Sequence, residues 1–169
     1  MASELGVQTI QHTNGTDALT IDASGNVALS QVGTGDFYRE GTWTPTYGGL
    51  TSNPTTGYSV QVGNYVRIGN LVHVSFELDG SGFSGGSGNL TIDGIPFSAK
   101  VRAHGTVAYE QFNLDSRTQS VLSIDPSTDA NRIIPLEVGD TLDISGIDMT
   151  AFVGAKKVRG SITYITDDA

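Results

Sequence analysis

The residues best suited to acid–base chemistry are the aspartates of the second half, Asp115, Asp125, Asp129, Asp140, Asp143 and Asp148. Paired carboxylates flanking a glycosidic bond can hydrolyse it. Each of these lies in a turn-like or solvent-facing stretch, where aspartate is favoured because its side chain bonds the local backbone. They read as solvated loop acids, and no catalytic residue is assigned. The histidines, His12, His73 and His104, lack ligand spacing, and no cysteine supplements them. Neither a metal site nor a cofactor is expected. The run Ser81-Gly82-Phe83-Ser84-Gly85-Gly86-Ser87-Gly88 has the glycines of a phosphate loop but not its lysine or following helix, and reads as a flexible exposed loop. Asn14-Gly15-Thr16 and Asn89-Leu90-Thr91 match the glycosylation sequon, yet the start has neither the basic nor the apolar region of a signal peptide. They receive no role.

Binding is a different matter, because aromatic side chains offer large contact area at low entropic cost and stack on sugar rings. Phe83 on the Gly/Ser run is the first candidate for contact with a receptor, with Tyr109 and Phe112 as companions. Trp43, the only tryptophan, is expected to anchor the core.

The elements that must position these residues are strands. Of 169 residues 22 are glycine, scattered without a three-residue period, and Val, Ile, Thr, Tyr and Phe dominate between them. No window carries apolar residues at helical spacing over three turns. Strands are expected near 41–47, 64–68, 71–76, 89–93, 104–110, 120–124, 132–138, 141–145, 147–153 and 158–165, with turns at Asp93-Gly94, Gly139-Asp140 and Gly154. This spacing predicts an all-β, antiparallel sandwich of jelly-roll type over residues 37–169.

The clearest local signal is Asn64-Tyr65-Val66-Arg67-Ile68, then Gly69-Asn70, then Leu71-Val72-His73-Val74-Ser75-Phe76. A two-residue Gly-Asn connection is a preferred hairpin geometry. Pairing Ile68 with Leu71 puts Tyr65, Arg67, Val72, Val74 and Phe76 on one face and Val66, Ile68, Leu71 and His73 on the other. An antiparallel sheet usually keeps one face wet. Two largely apolar faces therefore predict that the second, with Val66, Ile68, Leu71 and His73, is covered by another subunit, as an oligomer interface, or by the arm.

Residues 1–36 have a different texture, with short alternations and few aromatics, and are expected to form an extended N-terminal arm. Ala18 to Asp22 and Val27 to Leu29 flank Ala23-Ser24-Gly25-Asn26, a hairpin signal. A lone hairpin is marginal in water. Leu5, Val7, Ile10, Leu19 and Ile21 accordingly need another surface to cover them, this chain's main domain, sister copies or a host scaffold, and docking on such a scaffold is the expected role of the arm.

The motifs Glu40-Gly41-Thr42-Trp43-Thr44-Pro45, Val62-Gly63-Asn64-Tyr65-Val66-Arg67-Ile68-Gly69-Asn70-Leu71-Val72 and Gly94-Ile95-Pro96-Phe97 occur in this order. Together they resemble a domain of tailed-bacteriophage tail fibre and virion-associated appendage proteins. Thr9-Ile10-Gln11 and Ala18 to Val27 are similar to the N-terminal segments of marine phage fibre-like proteins. The resemblance covers about 1–100 and implies a homotrimer on the particle surface, synthesised in the bacterial host cytoplasm.

Charge narrows the partners. With 18 acidic against 9 basic residues the chain carries −9, which opposes binding to phosphate backbones. No stretch approaches the apolar length of a membrane span, so neither nucleic acid nor membrane insertion is expected. The expected function is that of a non-catalytic virion surface protein, a short tail fibre or receptor-binding knob attached through its arm. The alternative is a capsid decoration, or cement, or head-fibre protein that stabilises the phage head. Its expected partners are itself as a homotrimer, a tail or major capsid protein, and a host surface glycan.

Overall fold

A computed structural model describes residues 6–11, 13, 15, 17–25, 27–29, 38–112, 119–139, 144–149 and 154–168. The chain divides into two compact units, one ending at Arg39 and the other spanning Glu40–Asp168.

The N-terminal unit holds β1 (Thr9–Gln11), β2 (Asp17–Ile21) and β3 (Val27–Leu29), an antiparallel sheet in the order β1-β2-β3. The expected hairpin is present, with Leu19 opposite Leu29 and Ile21 opposite Val27. Its turn is built by Asp22, whose carboxylate accepts from the Ser24 amide at 2.8 Å, while Gly25 takes a positive φ of 82°.

The larger strands are β4 (Tyr38–Trp43), β5 (Thr46–Gly49), β6 (Ser52–Ile68), β7 (Leu71–Ser87), β8 (Leu90–Asp93), β9 (Ala103–Glu110), β10 (Gln119–Asp125), β11 (Asp129–Val138), β12 (Ile144–Gly146) and β13 (Lys156–Ile165). Their neighbour order is β4-β6-β7-β13-β9-β10-β11-β8-β5, with β12 beside β11. Every registered pairing is antiparallel. β4 and β5 stand at opposite ends of this order although only Thr44 and Pro45 separate them in sequence. Pro45 lacks the amide a ladder needs, so the strand that would have run over 41–47 breaks there and its halves join different neighbours. The chain thus adopts the expected all-β, antiparallel class.

Alternation explains the packing. On β7, Val72, Val74, Phe76 and Leu78 are buried while Leu71 and His73 are exposed. On β13, Val158, Ile162 and Tyr164 are buried, as the alternation of that segment predicts. These side chains meet Leu90, Ile92, Leu122, Ile124, Ile133 and Met149 in one core. Burying an aliphatic side chain of this size stabilises by about 1.5–3 kcal/mol relative to leaving it exposed.

Other expectations need correction. Residues Ser81–Ser87 are not a flexible loop, since they extend β7 and pair with β6, Ser52 opposite Ser87 and Thr55 opposite Ser84. The polar stretch before Asn64 is likewise strand from Ser52 onward. Within the expected 147–153 strand, Asp148 and Asn89 form an isolated bridge in place of a ladder, and 150–153 lie outside the described residues. Residues 140–143, with the Gly139-Asp140 turn's second half, also lie outside them.

Candidate functional site

The longest hairpin supplies the surface with most to explain. β6 and β7 pair through Ile68 opposite Leu71, Val66 opposite His73, Asn64 opposite Ser75 and Val62 opposite Glu77. Gly69 alone in the turn takes a positive φ, 58°, the geometry of a two-residue turn with glycine first. The turn is held from outside by Thr166, whose amide donates to the Asn70 carbonyl at 2.9 Å. With the turn fixed, the register is fixed, and a one-residue slip would exchange the two faces.

The inward face is the one expected. Val72, Val74 and Phe76 are buried and Tyr65 packs against the core. Arg67 is buried with them, its Nε donating to the Gly69 carbonyl at 2.7 Å, its other nitrogen to the Asp168 carbonyl, and its guanidinium 4.8 Å above the Phe97 ring. A buried cation requires such partners.

The outward face is apolar and open. Val62 is 50% exposed, Val66 36%, Ile68 47% and Leu71 46%. His73 is exposed among them and shares a 2.9 Å hydrogen bond with the Thr163 hydroxyl of β13. The four expected interface residues thus lie together on two paired strands. Val62 was missed by stopping at the hairpin's apolar centre. Its signal was present in the same period-two series, Val62, Asn64, Val66, Ile68.

Further from the turn this face becomes charged. Arg159 of β13 pairs with Glu77 of β7 at 2.8 Å and with Glu110 of β9, and Lys157 pairs with Asp79 at 3.2 Å. The Arg159 guanidinium holds the Glu110 carboxyl below the ordinary glutamate range, first through their hydrogen bond and then through charge.

The three sequence motifs meet inside the fold and hold it together. Trp43 lies against Gly63, where a methyl group would come within 2.5 Å of its indole nitrogen, and it meets Phe76 edge-on at 5.9 Å between centroids. Gly94, at φ 94°, lets the backbone pass Thr44, whose carbonyl would be 2.7 Å from a methyl group there. Phe97 packs edge-on against Tyr65 at 5.5 Å and accepts a 2.9 Å hydrogen bond at its carbonyl from the Tyr164 hydroxyl.

The expected receptor contacts sit differently from their sequence reading. Phe83 is partly buried on β7 and packs edge-on against Tyr47 at 5.2 Å, instead of standing on a loop. Tyr109 and Phe112 pack on each other at 4.8 Å and against the core. Among the described residues the buried Tyr109 hydroxyl meets no hydrogen-bond partner, and burial pushes its pKa well above the usual tyrosine range. Of the arm residues, Ile10 is exposed, Val7, Leu19 and Ile21 are half-buried, and Leu5 lies outside the described residues.

Asp125 and Asp129 serve turns. Asp125 accepts from the Ser127 amide at 3.0 Å and hydroxyl at 2.6 Å and pairs with Arg102; Asp129 accepts from the Asn131 amide at 2.9 Å. Asp115, Asp140, Asp143 and His12 lie outside the described residues. Asp125 also borders a cavity of about 250 Å³ between Leu50, Asn89, Ser123, Ile134 and Ile144. Among the described residues, no group of three or more His, Cys, Asp or Glu is placed to hold a metal ion.

Compared with protein-family models, with curated proteins and with solved structures, the chain matches none.

Proposed function

We propose that this chain is a non-catalytic structural protein of a tailed-phage particle surface, a short tail fibre or receptor-binding knob that works as a homotrimer and attaches through its N-terminal arm. The observation that carries the reading is the open apolar face of β6 and β7, where Val62, Val66, Ile68 and Leu71 stand exposed on a rigid hairpin. Exposed apolar surface concentrated on one element marks an association site more often than a free surface. The ordered motifs that resemble phage appendage proteins indicate the kind of particle.

Attachment is a separate task assigned to the arm, whose small sheet carries Ile10 exposed beside half-buried Leu19 and Ile21. Contact with a host glycan would then fall to the surface away from that apolar face. Quantitative mass spectrometry of purified particles tests the reading. The chain is expected there in a copy number divisible by three, at tail-like abundance. Its absence from washed particles would overturn the reading, and hundreds of copies would favour capsid decoration instead.

A further inference from the structure

We propose that the cavity bordered by β10, β11, β12, Leu50 and Asn89 is a binding site for one neutral sugar ring. The proposal rests on the glycan contact proposed above and gives that contact a place. β13 and β9 stand between β7 and β10 in the strand order, and the cavity shares no residue with the apolar face of β6 and β7.

The cavity measures about 250 Å³. Pockets for drug-sized ligands run roughly 300–1,000 Å³, so this one suits a single ring rather than a longer chain. Ser123 of β10 lies opposite Ile134 of β11, and both are buried at the cavity's base. Ser123 is only 4% exposed, yet among the described residues its hydroxyl has no hydrogen-bond partner. A hydroxyl so deeply placed is stabilised by a group that enters the cavity and bonds to it. Asn89 lines the same cavity, and the Gly146 backbone fixes its side chain, since a methyl group at Gly146 would come within 2.3 Å of the Asn89 amide nitrogen. The Asn89 main chain is held as well, its carbonyl accepting from the Leu50 amide at 2.8 Å.

The lining selects the ligand's chemistry. Asp125 is its one charged residue, and that carboxylate is already engaged by Arg102 and by the Ser127 amide and hydroxyl. A cation would meet Arg102 beside a satisfied acid, and an anion would meet Asp125 without a free cation in the lining, so a neutral ligand fits best. A serine hydroxyl and an asparagine amide each donate and accept, and hydroxyl groups answer both. Water could bond to Ser123, but it gains nothing from Leu50 and Ile144, which stand exposed at the same cavity. A sugar ring carries hydroxyls at its edge and C–H groups on its faces, which matches polar groups set among aliphatic ones.

The test titrates isotope-labelled full-length protein with D-glucose, D-galactose, D-mannose and N-acetylglucosamine, read by amide chemical shifts. Each sugar is taken to ~50 mM, well above the Kd of about 1 mM that one small ring reaches at ordinary ligand efficiency. At least one sugar is expected to move the amides of Asn89, Ser123 and Thr128 while leaving Val66 and Ile68 in place. Ser123→Ala should weaken that response about tenfold, with the urea midpoint reporting the fold. Thr128→Ala, at an exposed position on the rim, should weaken it without touching the buried base. Shifts confined to other residues, or a response unchanged in both variants, would overturn the cavity and leave a glycan contact elsewhere standing. No shift with any of these sugars would also overturn it. Failure of the full chain to bind an array of bacterial surface polysaccharides would overturn the glycan contact itself.

Discussion

Trp43 lies against Gly63 across neighbouring strands, its indole nitrogen donating to the adjacent Asn64 carbonyl at 3.3 Å. The first and second sequence motifs therefore touch through a position where a side chain has no room. Gly63→Ala would press a methyl group into the indole ring and displace it from Phe76. The expected cost is about 1–3 kcal/mol, as for other overpacked cores. Urea unfolding followed by tryptophan fluorescence checks this, since Trp43 is the only tryptophan.

Ile68→Asp and Leu71→Asp are expected to weaken self-association by at least tenfold in Kd, equivalent to about 1.4 kcal/mol. Both positions are half exposed, so the fold should survive. Sedimentation equilibrium reads the association and far-ultraviolet circular dichroism reads the fold. An unchanged oligomer would remove Ile68 and Leu71 from the interface.

Tyr47 donates from its hydroxyl to the Lys156 carbonyl at 2.9 Å inside the core. Tyr47→Phe would leave that carbonyl without this donor and is expected to destabilise by about 1–3 kcal/mol. The loss should appear as a lower urea midpoint with an unchanged slope.

Burial raises the pKa of Tyr47, Tyr109 and Tyr164 in the folded chain above the ordinary tyrosine value of 10.0. The unfolded chain releases these protons first. Stability from this source is therefore complete below about pH 10 and falls as pH rises beyond it. On the acid side, Asp125 is held below the ordinary aspartate range, first by the Ser127 hydroxyl, and Glu110 below the glutamate range by Arg159. Their contribution is present at neutral pH and is lost as pH falls through the carboxylate range. Both acids face solvent, so the acid loss should be the smaller. Thermal melts from pH 3 to pH 11 would show both limbs, and Glu110→Gln should reduce the acid one.

Deletion of residues 1–36 is expected to abolish attachment to the particle while sparing the Glu40–Asp168 unit, which has its own core. Particle incorporation and circular dichroism of the truncated chain read the two effects separately. Full occupancy by the truncated chain would refute a docking arm.

Much of the fold was legible where side chains alternate. The Gly69–Asn70 hairpin, the buried face of Val72, Val74 and Phe76, and the outward Val66, Ile68 and Leu71 all follow from a period of two and one turn. Ser52–Gly57 and Ser81–Ser87 were not legible, because Gly, Ser, Asn and Pro favour loops. There the pairing of one half with the other imposes the strand, which no local preference reports. The expected strand over 41–47 ran straight through Pro45, and no local preference reports that its two halves join opposite ends of the strand order. Phe83 looked exposed because its neighbours are small. Gly80, just before that run, lets Tyr47 approach, for a methyl group there would lie 2.8 Å from the Tyr47 ring.

The most direct test of the proposed role is electron microscopy of intact phage particles labelled with an antibody to residues 38–112. The proposal predicts label confined to the tail, at a few to a few dozen copies, and particles carrying no label at any position would contradict it.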